Sequence, residues 1–549
     1  MKELILKYAL QNAVLYKGKA NEKAVLGKVF SENPDVRKNA KEVIKQISET
    51  VKQVNSMKPD EQKEKLEELA PELLKKKKVK QRDIFGFLNV KGKVVTAFPP
   101  EPSKYLHIGH AKALFLNYEL AKKNKGEFIL RFEDTNPTLA KKEFYDIIPD
   151  DVKWLGVKPD KIDYASKHMD KFYKHAEDLV KKGNAYVCLC NQDMIKEGRA
   201  KGAPCKDRTY DVKKNLELWK KMFSMKKGEA NLRLKIDLEH QNTTMRDPTI
   251  IRIIDEKHVL QGAKYRLWPT YDFENSVMDG VGGITYRLRS KEFELRNELQ
   301  RYIQKLLGFK ETNIYEFGRM NLEGVESSGR VIREKIEKKE LLGWDDPSLT
   351  TLIALRRRGF LPEAIKSFVL STGISKAEAT LTWDDFIMHN KRILDFKCNR
   401  YFFVEDPVKI SVKNAPSQDV KLKLHPEDEK RGFRDFKTGK DFYITKKDHK
   451  ELKKGKLYRL MDCLNFKDLA FDSRDHSEYK GKGEKIIHWL PVSKDLVEVE
   501  VMMPDKSVKK GLAESLKLKI GDVIQFERFG FCKLDQIKAK KYVFWFTHG

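Results

Sequence analysis

The sequence predicts an α/β protein with a parallel sheet, preceded by helices and followed by a β-rich region. Between Val94 and Phe132 a strand-like run, a loop, a helical pattern and a second strand follow one another, which is the order of a βαβ unit. Helical periodicity precedes this unit, and short strands separated by turns begin at Tyr401. At 549 residues the chain exceeds what one core usually spans, so we expect several domains.

The charge balance favours a polyanionic partner. Lys and Arg total 110 against 82 Asp and Glu, a net charge of +28. Such a surplus suits nucleic acid, because each phosphate contact releases counterions; the alternative is a lysine-rich, solvated surface. Six cysteines indicate a reducing compartment rather than a disulfide framework. No apolar run approaches the roughly 18 residues that a membrane helix needs. We therefore expect a cytoplasmic protein with no membrane partner, and we favour a monomer.

Residues 1–85 are predicted to form a helical domain. One helix face carries the apolar residues Val43, Ile44, Ile47, Val51 and Val54. A second apolar stripe comprises Leu66, Leu69, Leu73 and Leu74. Pro59, followed by acidic residues, is typical of a helix start, and the run Lys75–Lys78 indicates an exposed linker before a domain boundary near residue 85.

Three further regions follow. Residues 86–330 form the predicted α/β domain, with an insertion of short strands and helices at about 185–255. Helices dominate 331–395, and residues 396–549 are predicted to form β-barrel or sandwich domains. Ligands of parallel sheets bind at the carboxyl ends of the strands, so we expect chemistry at the loop from Pro100 to His107.

The sharpest local signal is FPPEPSKYLHIGH, at residues 98–110. Gly109 allows the backbone to approach a ligand closely, and the segment opens a helix whose N-terminal amides favour anions. His107 and His110 can both be directed at one phosphate chain and hydrogen-bond an α-phosphate as charge develops. The alternative is a pair of surface histidines at an ordinary helix start; the strand–loop–helix context favours the phosphate site.

This segment resembles the HIGH motif of class I aminoacyl-tRNA synthetases, and its flanks are similar to those of glutamyl- and glutaminyl-tRNA synthetases. Other segments resemble the same family: LRFEDTNP at 130–137, WPTYDF at 268–273, LGWDDP at 342–347, ALRRRG at 354–359 and NRYFFV at 399–404. The last three are characteristic of the archaeal and eukaryotic branch. The resemblance extends over the whole chain and is weakest over the N-terminal helices.

The resemblance implies a Rossmann catalytic domain that activates glutamate with ATP and Mg²⁺, once tRNA is bound. It implies transfer to tRNA(Glu), and in archaeal relatives often also to tRNA(Gln). The insertion is then the acceptor-stem contact, and the C-terminal β-barrels recognise the anticodon. Family positions for ATP binding and catalysis hold His107, His110, Pro100, Gly109, Ser327, Ser328 and Arg330. Positions that contact glutamate hold Glu133, Tyr271, Asn275 and Arg289, with Glu133 at the α-amino group.

The chain departs from the family in its second ATP motif. The lead-in GRMNLEG at 318–324 is present, but the next residues, Ser327 to Val331, contain no lysine where the family has KMSKS. That loop normally clamps the triphosphate with a mobile cation. Arg330, or else Arg333, can provide the charge, although a guanidinium is not equivalent to an ammonium. We expect an altered but functional loop.

A second departure concerns the substrate carboxylate. The strand before the proline pair usually carries an arginine that binds it, and Ala97 occupies this position. Lys104 stands where the family commonly has glycine, and we expect it to offer a replacement charge near the substrate.

The insertion carries a candidate metal site. Cys188, Cys190 and Cys205 lie close together in sequence, in a region where some relatives bind structural zinc. Tetrahedral zinc requires four ligands, and Asp207 or Tyr210 is the candidate for the fourth. We favour free thiols, with zinc as the alternative.

Two other functions fit parts of the sequence. A glutaminyl-tRNA synthetase would share most motifs, but the substrate-pocket residues and the NRYFFV junction favour the glutamyl type. A catalytically weakened tRNA-binding paralogue would explain Ala97 and the altered ATP loop. The intact His107, His110, Glu133 and Arg289 oppose that interpretation.

Overall fold

The computed structural model describes residues 1–16, 18–33, 36, 39–73, 83–539 and 541–549. The chain divides into two compact units, Met1–Asp83 and Ile84–Gly549. The predicted linker Lys75–Lys78 and Leu74 lie outside the described residues. Within the described part of the chain, no helix has the length and apolar character needed to cross a membrane.

The first unit is helical, as predicted. Its helices are α1 (Lys2–Leu15), α2 (Glu22–Glu32), α3 (Ala40–Asn55) and α4 (Pro59–Leu69). The predicted start at Pro59 is confirmed, since its fixed φ suits the first turn. Four residues of the predicted stripe on α3 are buried, namely Val43, Ile47, Val51 and Val54. Ile44 is 47% exposed, so its inclusion was wrong: it lies about 100° around the helix from Val43, off the buried stripe.

The second unit begins with the predicted βαβ arrangement. It comprises β1 (Val95–Phe98), α5 (Ile108–Lys123), β2 (Glu127–Phe132), α6 (Phe144–Trp154) and β3 (Lys161–Tyr164). The three strands pair in parallel in the order β1-β2-β3, with Val95 opposite Glu127. The parallel sheet predicted from the sequence is therefore confirmed.

An antiparallel sheet follows. Its elements are α7 (Met169–Lys181), β4 (Ala185–Cys188), α8 (Gln192–Lys201), α9 (Val212–Met222), β5 (Asn231–Leu234), β6 (Thr249–Ile253) and β7 (Leu267–Pro269). The order is β4-β5-β6-β7. Because β7 pairs with β6, this sheet extends beyond residue 255 and ends just before the next helix.

The next elements include a second, two-stranded parallel sheet that begins beside β1. The elements are α10 (Tyr271–Gly282), β8 (Tyr286–Ser290), α11 (Glu294–Leu306) and β9 (Asn313–Phe317), with β8 and β9 parallel. The amide of Thr285 donates to the Val95 carbonyl at 2.9 Å, which sets the start of β8 beside the start of β1. The polar side chains of β2, β8 and α10 consequently meet near the carboxyl ends of these strands.

Helices dominate the next segment. Its elements are β10 (Met320–Leu322), α12 (Gly329–Glu337), α13 (Leu352–Arg358), α14 (Pro362–Ser371), β11 (Ala379–Leu381) and α15 (Trp383–Lys397). Phe360, Phe368 and Phe386 stack together and share one core with Leu130 of β2. These helices therefore pack on the parallel sheet.

The C-terminal part is built from β-sheets, as predicted. Its elements are β12 (Arg400–Tyr401), β13 (Phe403–Glu405), β14 (Pro407–Ser411), β15 (Gln418–Lys423), β16 (Phe433–Thr438), β17 (Asp441–Thr445), α16 (Lys446–Lys450), β18 (Leu457–Leu460), β19 (Leu464–Lys467), β20 (Ala470–Ser473), α17 (His476–Tyr479), β21 (Lys485–Ile487), β22 (Leu490–Pro491), β23 (Val497–Met502), β24 (Val508–Ala513), β25 (Val523–Phe526), β26 (Gly530–Lys538) and β27 (Lys541–His548). The neighbours Phe402 and Phe403 point to opposite sides and fill two separate cores.

The basic residues of α13 attach this β-rich part to the helices. Arg357 binds both Asp345 (2.5 Å) and Asp535 (2.9 Å). Arg358 donates to the carbonyls of Pro347 and Thr547 at 2.9 and 2.8 Å. Arg357 and Arg358 thus connect the β-rich part to the helices.

Candidate active site

The two histidines of the first motif lie at the start of α5. His107 precedes the helix, and its Nδ1 accepts the amide hydrogen of Gly109 at 3.0 Å. Nδ1 of His110 accepts the amide hydrogen of His107 at 3.1 Å, and the ring centroids are 3.9 Å apart. Because each Nδ1 is an acceptor, each neutral ring carries its proton on Nε2. Both side chains are therefore oriented to donate from Nε2.

Both imidazoles are neutral at physiological pH. Burial lowers the pKa of His107 to about 4, and the nearby charges of Lys104 and Arg319 add to the effect. Burial, with His107 and Lys104, holds the pKa of His110 well below its ordinary value. A neutral Nε2–H is a hydrogen-bond donor that needs no proton uptake to act on a developing negative charge.

Gly109 is required by the histidine geometry itself. A Cβ at this position would lie 2.9 Å from Cε1 of His107, closer than such atoms approach. The sequence interpretation assigned Gly109 to close approach of a ligand; the structure adds that a side chain would displace the His107 ring.

A small cleft brings the two predicted ATP loops together. It is lined by Lys104, Tyr105, His107, Glu326, Ser327, Gly329, Ile332, Trp344, Thr350 and Thr351. Ser328 caps α12 by accepting from the Val331 amide. Pro100 lies at the other side of the loop, where its carbonyl accepts the Glu133 amide hydrogen at 3.0 Å. The first motif is thereby tied to the end of β2.

Arg330 does not line this cleft. Its side chain is 87% exposed, and Nε donates to Glu334 at 2.9 Å along α12. Arg333 is also exposed. The cation that the sequence assigned to the altered loop is thus turned toward solvent in this arrangement.

A buried polar pocket surrounds Glu133. Its Oε1 accepts from Nδ2 of Asn275 at 2.5 Å and from Arg131 at 3.2 Å. Arg131 and Arg287 both bind Asp279 as well. Burial raises the pKa of Glu133, while Arg131 and Arg287 oppose the rise and stabilise its ionised form.

The side-chain hydrogen bonds of Arg289 in this pocket go to neutral groups. Arg289 is 7% exposed, and it donates to the amide oxygens of Gln300 (3.0 Å) and Asn297. It forms no ion pair with the carboxylates of the described part of the chain, and its Nε has no acceptor there. Burial and the charge of Arg287 lower its pKa. Its positive charge is available to an anionic ligand.

Tyr271 lies on the same side of α10 as Asn275 and Asp279, since these residues recur every four positions. Its ring packs near Phe293, with centroids 5.6 Å apart. Burial raises the pKa of its phenol, and the negative charge of Glu133 adds to the rise. The structure therefore brings together all four residues predicted to contact glutamate: Glu133, Tyr271, Asn275 and Arg289.

Ala97 and Lys104 lie in different surroundings, and neither forms a hydrogen bond in the Glu133 pocket. Ala97 is 1% exposed and packs with Val95, Ile129 and Ile284. Lys104 lines the cleft beside His107 and is not among the side chains bonded in the Glu133 pocket.

Sequence reasoning missed Arg287, Arg131 and Asp279. The period of two along β2 and β8, which puts Arg131 with Glu133 and Arg287 with Arg289, is the signal that could have found the arginines. Nothing in the sequence pairs either of them with Asp279.

The cysteines of the insertion converge. Ligand atoms of Cys188, Cys190, Cys205 and Asp207 all lie within 4.8 Å of one another. Sγ of Cys188 is 3.8 Å from that of Cys205, and Oδ2 of Asp207 is 3.8 Å from Sγ of Cys190. Asp207 is 1% exposed, and its Oδ1 has no hydrogen-bond partner in the described part of the chain. Tyr210 contacts Asp207 instead of joining the cluster.

Comparisons with known proteins agree with this geometry. Residues 93–396 match the family "tRNA synthetases class I (E and Q), catalytic domain", and residues 398–482 and 486–535 match two anti-codon binding domains of the same class. Proteins named glutamate–tRNA ligase from Pyrococcus furiosus, Pyrococcus abyssi and Pyrococcus horikoshii are 41%, 42% and 41% identical. Each alignment covers 100% of this chain and 100% of the relative. The chain belongs to the class I tRNA synthetases of the glutamate and glutamine group.

Proposed function

We propose that this protein joins L-glutamate to tRNA in an ATP-dependent reaction through a glutamyl-adenylate. Arg289 carries the proposal: it is a buried guanidinium with only neutral amide partners in the described structure, and it lies in the same pocket as the carboxylate of Glu133. A zwitterionic acidic amino acid requires such a pair. The names of the full-length relatives support the same substrate.

The pocket residues have distinct roles in this proposal. Glu133 binds the α-ammonium, and Asn275 holds Glu133 in place through its 2.5 Å hydrogen bond. Arg289 binds the side-chain carboxylate of glutamate. Tyr271 closes the pocket on the α10 side. Burial raises the pKa of Glu133, and the charges of Arg131 and Arg287 oppose that rise and favour the carboxylate form that accepts from the ammonium.

ATP binds between the His107 loop and the Ser327–Gly329 loop, with Pro100 and Ser328 shaping the two sides. The α-carboxylate of glutamate attacks the α-phosphorus, an O–P bond forms, and the bond to the pyrophosphate oxygen breaks. Nε2–H groups of His107 and His110 donate to the phosphate as charge develops. A tRNA terminal ribose hydroxyl then displaces AMP. Catalysis rests on positioning and charge stabilisation, without a covalent enzyme intermediate.

Mg²⁺ fits this cleft. It is usually held by substrate phosphates and one or two carboxylates, and Glu326 is the carboxylate among the lining residues. Glu326 would hold Mg²⁺ together with the phosphates, and the bound ion would neutralise phosphate charge.

The remaining regions contact tRNA in this proposal. The insertion at about 185–255, together with β7, contacts the acceptor stem, and residues 396–549 recognise the anticodon. The helices of 331–395 join the two, and the first 85 residues form a separate helical domain. The net charge of +28 supports binding to such a polyanion. tRNA(Glu) is the expected substrate, with tRNA(Gln) as a second.

We assign the protein to the cytoplasm, where it acts as a monomer. None of the six cysteines, all of which lie in the described residues, forms a disulfide, which supports a reducing compartment.

Aminoacylation of separate tRNA(Glu) and tRNA(Gln) transcripts, with labelled glutamate and then glutamine, tests the proposal. Glutamate on tRNA(Glu) alone indicates a discriminating enzyme, and glutamate on both indicates a non-discriminating one. Glutamine on tRNA(Gln) would overturn the substrate assignment. Charging of neither tRNA, with tRNA binding intact, would favour the weakened paralogue instead. The altered ATP loop is the observation that favours the paralogue, whereas the assembled pocket of Glu133 and Arg289 favours an active enzyme.

We further propose that Cys188, Cys190, Cys205 and Asp207 bind one structural zinc ion. Three thiolates and a carboxylate complete a tetrahedral set, and the free Oδ1 of Asp207 supports it. Burial raises the pKa of Cys190 to about 12, so zinc binding displaces thiol protons. Elemental analysis of purified protein should find about one zinc per chain; none after refolding with excess zinc would contradict the site.

A further inference from the structure

The residues of the altered ATP loop place no cation in the cleft where pyrophosphate would leave. When the bond to the pyrophosphate oxygen breaks, negative charge grows on the leaving group, and a cation close to it lowers the barrier. Ser327, Ser328 and Gly329 carry no charge. Arg330 follows them but is exposed and paired with Glu334. Neither Arg330 nor Arg333 lines the cleft, so a cationic side chain there has to come from another part of the fold.

Lys104 lies in the cleft where a phosphate-binding cation is needed. It lies in the loop between β1 and α5, and its side chain lines the cleft together with His107 and Ser327. It is half-buried and forms no hydrogen bond or ion pair with any residue of the described part of the chain. Glu326 lines the same cleft, but it accepts from the Ser328 amide and forms no ion pair with Lys104, so the ammonium can bind an anion.

Lys104 also faces the altered loop directly. A Cβ built on Gly329 would lie 3.6 Å from Cδ of Lys104, an ordinary contact distance. Its charge acts on His107 and His110, where it contributes to their lowered pKa values. Lys104 is therefore close to both histidines that address the α-phosphate and to the loop that faces them.

The other cation near His107 is engaged elsewhere. Arg319 pairs with Glu292 at 3.1 Å and is half exposed. Ala97, the position of the missing family arginine, is buried among apolar residues on β1. The cleft location of Lys104 thus separates it from the Glu133 pocket, where the sequence alone had placed its charge.

We propose that Lys104 is the triphosphate-binding cation of this enzyme, and that it replaces from the His107 loop the lysine missing from the Ser327–Gly329 loop. This inference rests on the proposed function. Lys104 binds the β- and γ-phosphates of ATP and stays bound to pyrophosphate as it leaves. No proton is transferred to or from Lys104. In this proposal the triphosphate-binding cation belongs to the first ATP motif instead of the second.

Lys104→Gln tests this assignment against a role in glutamate binding. Loss of a charge-assisted hydrogen bond raises KM for ATP by about ten- to a hundredfold, while KM for glutamate stays within about twofold. Lys338→Gln, at an exposed lysine after α12, is the matched control and leaves both constants unchanged. A rise in KM for glutamate instead, or no rise in KM for ATP, overturns the proposal.

A charge swap makes the test specific. Lys104→Gly combined with Gly329→Lys moves the ammonium to the facing loop, where the geometry has room for a side chain. KM for ATP should be at least about tenfold lower in the double variant than in Lys104→Gly alone. Failure to recover, with the thermal midpoint of the wild type retained, counts against a phosphate role.

Calorimetric titration of the full chain with inorganic pyrophosphate separates this inference from the proposed function. Weaker binding in Lys104→Gln supports the clamp even if the wild type charges no tRNA with glutamate. Equal binding in both proteins overturns the clamp even if glutamate charging is normal.

Discussion

Arg289 donates to the amide oxygen of Gln300 at 3.0 Å, deep in a pocket that also holds the carboxylate of Glu133. Gln300 in turn donates to Asp272 at 3.0 Å, which fixes the orientation of its amide. A buried charge usually has an opposite charge beside it. In this pocket the described hydrogen-bond partners of Arg289 are neutral, and in the proposed function the carboxylate of glutamate supplies the opposite charge.

Replacing Arg289 should therefore impair use of glutamate more than it impairs folding. We expect Arg289→Gln to lower kcat/KM for glutamate by about a hundredfold, or about 3 kcal/mol, with little change in KM for ATP. Glutamate-dependent ATP–pyrophosphate exchange with tRNA present measures both constants.

Arg287→Gln is the matched control for this prediction. Arg287 binds Asp279 and Asn275, so its loss leaves buried groups of the protein itself without partners. We expect a larger fall in thermal midpoint for Arg287→Gln than for Arg289→Gln. Equal losses of stability in the two variants would mean that Arg289 is a structural residue.

Gly109→Ala should act on catalysis through His107. The added Cβ would lie 2.9 Å from Cε1 of the imidazole, so the ring must move from its capping position. We expect kcat for adenylate formation to fall at least about tenfold. Gly27→Ala, at an exposed helical glycine with open space around it, should leave activity unchanged and add about 0.5–1 kcal/mol of helix stability. An unchanged kcat in Gly109→Ala would contradict the role given to the His107 ring.

Acid should destabilise the protein through three histidines whose pKa values are lowered in the folded state. Burial lowers the pKa of His107, His488 and His548 to about 4 in each case, against 6.5 when unfolded. The stability that each neutral ring contributes is complete above pH 6.5 and is lost as pH falls from 6.5 toward 4, because the unfolded chain binds the extra proton. Between pH 7.5 and 5.5 this amounts to about 1.3 kcal/mol per histidine.

His488→Gln provides the measurement. The fall in thermal midpoint between pH 7.5 and 5.5 should be smaller in this variant than in the wild type. His449→Gln, at an exposed position, should reproduce the wild-type slope. A wild-type slope in His488→Gln would mean that this ring is not a source of the acid sensitivity.

Asp207→Asn should weaken zinc binding by about ten- to a hundredfold, because it removes the anionic fourth ligand and leaves the thiols in place. Asp211→Asn, which keeps the cap of α9 at an exposed position, is the control and should bind zinc like the wild type. Competition with a chromogenic chelator measures the affinity. Equal affinity in both variants would assign the fourth position to water or another group.

The sequence by itself determined the fold class and the family of the chain. The strand–loop–helix–strand order predicted the parallel pairing of β1 with β2, because a short βαβ unit permits little else. The spacing of apolar residues predicted α3, although it included Ile44, which lies beside the buried stripe. The ordered motifs predicted the residues around Glu133, since each motif has a fixed place on a strand end or helix start.

Tertiary structure decided which side chains meet across elements that are distant in the chain. In the folded chain the side chain of Arg330 is exposed to solvent and that of Lys104 lines the cleft, although both residues are close in sequence to an ATP motif. Tertiary structure also paired Arg287 with Asp279, and it brought Asp207 to the three cysteines. Local sequence patterns specify the period and burial of one element at a time. The direction of a loop cation and the partners of a buried arginine depend on how separate elements pack, and only the folded chain fixes that.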